Sequence, residues 1–109
     1  MSDRPGDVVL VDLGTIRGHE QAGIRPAIFL HAEGNVSLLI PLSGNAKRLR
    51  FGSTVLIEPD DKNGLSRISV ALVFQMRAVD RNRIIETIGS LSAKDKRAVN
   101  KIIRSITRL

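Results

Sequence analysis

Gly18-His19-Glu20-Gln21-Ala22-Gly23-Ile24-Arg25-Pro26 is the stretch from which the rest of the chain is read. It joins two apolar runs. Between two glycines and a closing proline it gathers an imidazole, a carboxylate, an amide and a guanidinium. Glycine allows positive φ and close backbone approach, so the loop turns tightly. Proline's ring disfavours the helical region for the residue before it, so Arg25 is extended and stands where loop becomes strand. A cation held at such a point is preorganised for a charge that develops during a reaction.

Before the loop, residues 7–13 alternate, with Val9, Val11 and Leu13 on one face and Val8, Leu10 and Asp12 on the other. Apolar residues on both faces predict a strand buried in a small barrel. After the loop, a second strand is expected over 26–30, since proline is tolerated at a strand's first position. Glu33-Gly34-Asn35 predicts a hairpin turn that pairs this strand with a third over 36–42. Residues 43–50 are polar and basic and read as a loop. A fourth strand over 53–58 is rich in β-branched residues, and Pro59-Asp60-Asp61-Lys62-Asn63-Gly64 is a turn cluster.

The longest strand is expected over 69–79, with Val70, Leu72, Phe74 and Met76 on one face and Ala71, Val73, Gln75 and Arg77 on the other. Over 80–88 the spacing predicts a short helical turn carrying Ile84 and Ile85. Ser92 is placed to cap a helix, and Asp95 falls in its favourable first turn. Val99, Ile102, Ile103, Ile106 and Leu109 then form one apolar stripe. The chain therefore reads as a single domain over 1–109, with a barrel over about 6–80 and a helical part over about 81–109.

The 109 residues contain no cysteine, which removes disulfides and thiolate metal sites. The N-terminus has no apolar core of a secretory signal, and no apolar run approaches membrane-spanning length. The net charge of +6 lies in the last third: residues 77–109 hold nine Lys/Arg against Asp80, Glu86 and Asp95. That segment suits a polyanion or an acidic protein, or equally a solvated helix face. Metal catalysis needs converging ligands, whereas only His19 and His31 exist and the carboxylates fall mainly in turns. Phosphate-cradling glycine loops and nucleophile motifs are absent. Phe29, Phe51 and Phe74 mostly stand in apolar strand contexts, and Trp and Tyr are missing. If the polyanion is RNA, it is held by charge, hydrogen bonds and arginine planes more than by aromatic platforms.

Gly6-Asp7-Val8-Val9-Leu10-Val11-Asp12-Leu13, followed by Glu20-Gln21-Ala22-Gly23-Ile24-Arg25-Pro26, resembles the opening of the MazF/PemK family of toxin endoribonucleases. Ser69-Val70-Ala71-Leu72 with Gln75-Met76-Arg77-Ala78-Val79-Asp80 resembles that family's last strand. The resemblance runs from about Gly6 to Leu91. It implies a mainly β fold, a small SH3-like β-barrel with a C-terminal helix, working as a homodimer in the cytoplasm. It implies the toxin of a type II toxin–antitoxin system, a sequence-selective endoribonuclease that needs no metal or other cofactor. Its substrate would be single-stranded mRNA, cut by attack of the 2′-hydroxyl to leave 2′,3′-cyclic phosphate and 5′-hydroxyl ends. Its protein partner would be an acidic, partly disordered antitoxin, and the pair would bind operator DNA.

The resemblance puts the family's catalytic arginine at Arg25, where a guanidinium grips phosphate oxygens with a fork of donors. Ser43, in Pro41-Leu42-Ser43, stands where the family carries a hydroxyl residue, usually threonine. Serine keeps the hydroxyl and loses rotamer stiffness. His19 and Glu20 are acid–base candidates by chemical type. Gln21 has two readings, a bond to the loop backbone or a nucleotide contact. Gln75 and Arg77 either face the substrate or form the polar end of a strand. Lys47, Arg48 and Arg50 either grip RNA phosphates or solvate a loop. One position departs from the family: Phe74 precedes Gln75 where several members carry an acid, so that acid's proton-transfer role is not carried over. Two other functions remain open, a non-catalytic nucleic-acid-binding barrel and a gyrase-directed toxin of the CcdB type.

Overall fold

Strand β1 (Asp7–Asp12) is apolar at consecutive positions because the sheet buries it on both faces. The computed structural model describes residues 3–14, 23–50 and 52–108, with Arg50 described through its backbone. β1 lies between β2 (Ile24–Glu33) and β7 (Ile84–Ser90), antiparallel to both. β2 turns at Gly34–Asn35 into β3 (Val36–Ser43), as the short turn predicts. The second edge of β3 is shared. β6 (Arg77–Asp80) pairs with its first half and β5 (Ser69–Leu72) with its end. β4 (Thr54–Ile57) completes the order by pairing with β5. Helix α1 (Ala93–Thr107) lies against β4 and the turn after β5. The result is a mainly β half-barrel with a C-terminal helix, the fold class expected from the sequence.

Two apolar clusters divide the core. Val8, Ile28, Ile40, Leu42 and Val73 pack with Val99 of α1. Val9, Val11, Ala27, Phe29, Leu39 and Ile84 pack on the opposite face. β1 supplies both, since Val8, Val9 and Val11 are all fully buried. Each such side chain contributes about 1.5–3 kcal/mol.

Four expectations are corrected. The strand over 69–79 is not continuous. A 3-10 turn, Val73–Gln75, interrupts it, so β5 and β6 run end to end along β3 and the sheet bends between them. The interruption turns Phe74 outward, 46% exposed, rather than into an apolar strand face. The helical turn over 80–88 shrinks to a 3-10 turn at Arg81–Arg83, and Ile84 and Ile85 begin a strand instead. The edge of β1 needs a ladder partner, and β-branched Ile84, Ile85, Thr87 and Ile88 suit that role. The loop over 43–50 ends in a 3-10 turn, Ala46–Arg50.

The cap of α1 is as read: the Ser92 hydroxyl accepts from the Asp95 N–H at 3.1 Å. Ser92→Ala is expected to lower stability by about 1 kcal/mol. The check is a lower urea midpoint with an unchanged m-value.

Candidate active site

Arg25 is the second residue of β2 and pairs with Val11 of β1. The strand thus starts two residues before Pro26, and the arginine's backbone is held by the ladder. Two hydrogen bonds close the base of the preceding loop. The Leu13 N–H donates to Gly23 O at 2.9 Å and the Gly23 N–H donates to Gly14 O at 2.8 Å. Gly23 has φ +78°, the freedom that only glycine offers without strain. His19, Glu20 and Gln21 lie outside the described residues.

β2 and β3 pair Ala27 with Pro41. That ladder ends two residues short of both Arg25 and Ser43. Ser43 ends β3, pairs with Val70 of β5 and is only 3% exposed. Its Oγ accepts from the Asn45 N–H at 3.1 Å, and a hydroxyl that accepts one bond still has a proton to donate. Asn45 continues the turn: its Oδ1 accepts from the Lys47 N–H at 3.1 Å and its carbonyl from the Arg48 N–H at 3.0 Å. These short-range bonds carry the chain from the buried serine into the Ala46–Arg50 turn.

Arg25, Ser43, Gly44, Asn45, Arg48 and Arg67 line one cavity of about 330 Å³. Of the residues singled out in the sequence, the cavity brings together Arg25, Ser43 and Arg48. Lys47 is exposed and does not line it. Gln75 ends the turn after β5, half-buried. Arg77 opens β6, and its Nη2 donates to Leu13 O at 2.8 Å, tying β6 to the end of β1 just before the loop. Neither Gln75 nor Arg77 lines this cavity.

Arg67 and Asn45 were missed by sequence reasoning. Arg67 follows a turn cluster and sits in no periodic pattern, so the only local signal was a cation close to a strand start. The tertiary structure brings it to Ser43 because β5 pairs with β3. Its segment is tied down by hydrogen bonds. Asn63, fully buried, donates through Nδ2 to Glu58 O at 2.8 Å and accepts through Oδ1 from the Leu65 N–H at 3.0 Å. The Ser90 N–H of β7 donates to Lys62 O at 2.9 Å, and Ser69 Oγ donates to Arg67 O at 3.1 Å.

Among the described residues the cavity lining carries three arginines and no carboxylate, so it concentrates positive charge around a buried hydroxyl. Such an arrangement binds a phosphate and stabilises charge that grows on it. Among the described residues no three His, Cys, Asp or Glu side chains stand close enough to hold a metal ion.

Comparison with known proteins agrees with this architecture. The family described as PemK-like, MazF-like toxin of type II toxin–antitoxin system matches residues 4–107. The chain is 35% identical over 105 residues to the endoribonuclease MazF of Staphylococcus saprophyticus, an alignment covering 92% of this chain and 87% of that protein. Its fold is similar to that of MazF from Deinococcus radiodurans, with a TM-score of 0.80 at 25% identity over 98% of this chain and 97% of that one. It also resembles a chain of the MazE-MazF structure from the same organism, with a TM-score of 0.73 at 24% identity over 98% and 96%. Because the family match extends from before β1 to the end of α1, it covers every element that builds the cavity, and the chain belongs to the PemK-like, MazF-like toxins of type II toxin–antitoxin systems.

Proposed function

We propose that this chain is an endoribonuclease toxin that cuts single-stranded mRNA without a metal ion. The 2′-oxygen of one nucleotide bonds to the adjacent phosphorus and the bond to the 5′-oxygen breaks. The 2′-hydroxyl loses its proton and the departing 5′-oxygen gains one. The products are a 2′,3′-cyclic phosphate and a 5′-hydroxyl. The observation that carries the reading is that Arg25 and Ser43, distant in sequence, line one cavity. Arg25 grips the phosphate oxygens as charge grows on them, Ser43 donates its hydroxyl proton to one of them, and Arg48 adds a further cation. His19 and Glu20 are the proposed proton carriers by chemical type.

The test uses a long defined RNA in excess EDTA, with cut sites mapped. Cleavage leaving cyclic phosphate ends is expected. An oligonucleotide with a single 2′-deoxy substitution at the cut should still bind and should resist cleavage, and its cleavage would rule out the proposed nucleophile. Binding with no cleavage of any RNA would favour a non-catalytic nucleic-acid-binding barrel, to which the exposed Phe74 at the family's acidic position is the one pointer. Trapping of a DNA–topoisomerase complex with RNA left intact would favour the gyrase-directed reading. The partners proposed with the main reading are a second copy of the chain, an acidic antitoxin and, for that complex, operator DNA. The MazE-MazF structure is a precedent for such a complex in a relative's fold.

A further inference from the structure

The Arg67 guanidinium lies face-on over Gly44. A methyl group at Gly44 would stand 2.6 Å from Nη2 and 2.7 Å from both Cζ and Nε. Three atoms of the plane are thus almost equidistant from one point, so the point lies above the plane, over its Nη2–Nε side. The absent side chain of Gly44 leaves the seat. Arg67 is exposed, its carbonyl is held by Ser69, and among the described residues it has no ion-pair partner.

This plane is a wall shared by two cavities. One is the polar cavity of Arg25 and Ser43. The other, about 350 Å³, also reaches Arg25 and Gly44, and beside Ser66 and Ser69 it sets the apolar side chains of Leu10, Ile24, Pro26, Leu42, Leu65 and Ile88. Ile24, 65% exposed, stands at this site beside a cation-rich cavity. A ribonucleotide has the same two-part character: an anionic phosphate joined through a sugar to a flat ring system. Guanidinium planes stack on such rings, and their edge N–H groups remain available to ring nitrogens and oxygens.

We propose that Arg67 and this mixed cleft form a nucleobase subsite, which holds the base of a nucleotide adjoining the phosphate at Arg25. The proposal rests on the endoribonuclease reading. Arg67 binds substrate here and takes no part in proton transfer.

The experiment uses the full chain and an RNA oligonucleotide spanning a mapped cut, intact or with an abasic site at the nucleotide on either side. R67A and R67K are both expected to raise KM about tenfold, the scale of one base–side-chain stack, with kcat little changed. Both should unfold like the wild type, because the side chain is exposed. An abasic site on one side of the cut should cost the wild type about tenfold and cost R67A nothing further. An equal abasic penalty in both proteins overturns the subsite, as does full rescue by R67K, which would mark Arg67 as a point charge on phosphate. A wild type that cuts no RNA overturns the endoribonuclease reading and this proposal with it. A wild type that cuts, matched by R67A, overturns this one alone.

Discussion

Arg25→Ala is expected to lower kcat for RNA cleavage by roughly 10²–10³, the loss typical of one transition-state donor. The guanidinium's fork meets the diester's single negative charge in the bound substrate and a larger one as the 2′-oxygen bonds to phosphorus, so kcat should fall in addition to any rise in KM. The backbone of residue 25 is secured by its pairing with Val11, and the side chain is half-buried at the mouth of a cavity. Truncation should therefore leave the fold in place. Arg25→Lys keeps the charge and loses the planar fork, so it should recover only part of the rate. Single-turnover cleavage of a short oligonucleotide, with urea unfolding as the fold control, is the measurement. A folded Arg25→Ala protein that cuts at the wild-type rate removes Arg25 from the chemistry.

Gly64→Ala is expected to cost about 3–5 kcal/mol, a large share of a small domain's stability. Two effects add. Gly64 has φ +71°, where a Cβ costs about 1–2 kcal/mol. The new methyl would also stand 2.1 Å from the carbonyl oxygen of Ile88, which is backbone and has no rotamer to yield. Relieving that contact means prising the 60–64 turn from β7 and stretching the bond from Ser90 to Lys62. Gly34→Ala is the matched comparison, since Gly34 has φ +55° but a methyl there meets nothing within 4 Å. Urea unfolding of both variants separates strain from collision. If the two lose equal stability, the collision argument is wrong. Gly64, Leu65 and Ile88 also line the cleft beside Arg67, so the same turn that stabilises β7 shapes a wall of the site.

The local patterns that proved readable share a cause. β1, the Gly34–Asn35 turn, the β2–β3 pairing and the capped α1 follow from alternation, turn residues and helical spacing within a few neighbours. β7 was misread because Ile84, Ile85 and Ile88 match helical spacing as well as a strand. Its ladder with β1 is itself irregular, with register shifts between Val8 and Val9 and between Leu10 and Val11. The break at Val73–Gln75 was equally hidden, because β-rich residues continue through it and only the curvature of the sheet requires it. Arg25 and Ser43 were singled out by their strand-end positions and the family's motif, and the structure places both on one cavity.

Within the sequence alone lay the strand-and-helix content, the loop that ends at Arg25-Pro26, the family to which these motifs point and the basic last third. These depend on residue type and on spacing over a few positions, and neither needs a neighbour from elsewhere in the chain. Only the tertiary structure brought Arg67 over Gly44, sealed the turn around Asn63 against β7 and joined a polar cavity to a cleft of mixed lining. Those features arise where β3 meets β5 and β1 meets β7. Such long-range pairing is set by the closure of the sheet, and no short window of residues encodes it.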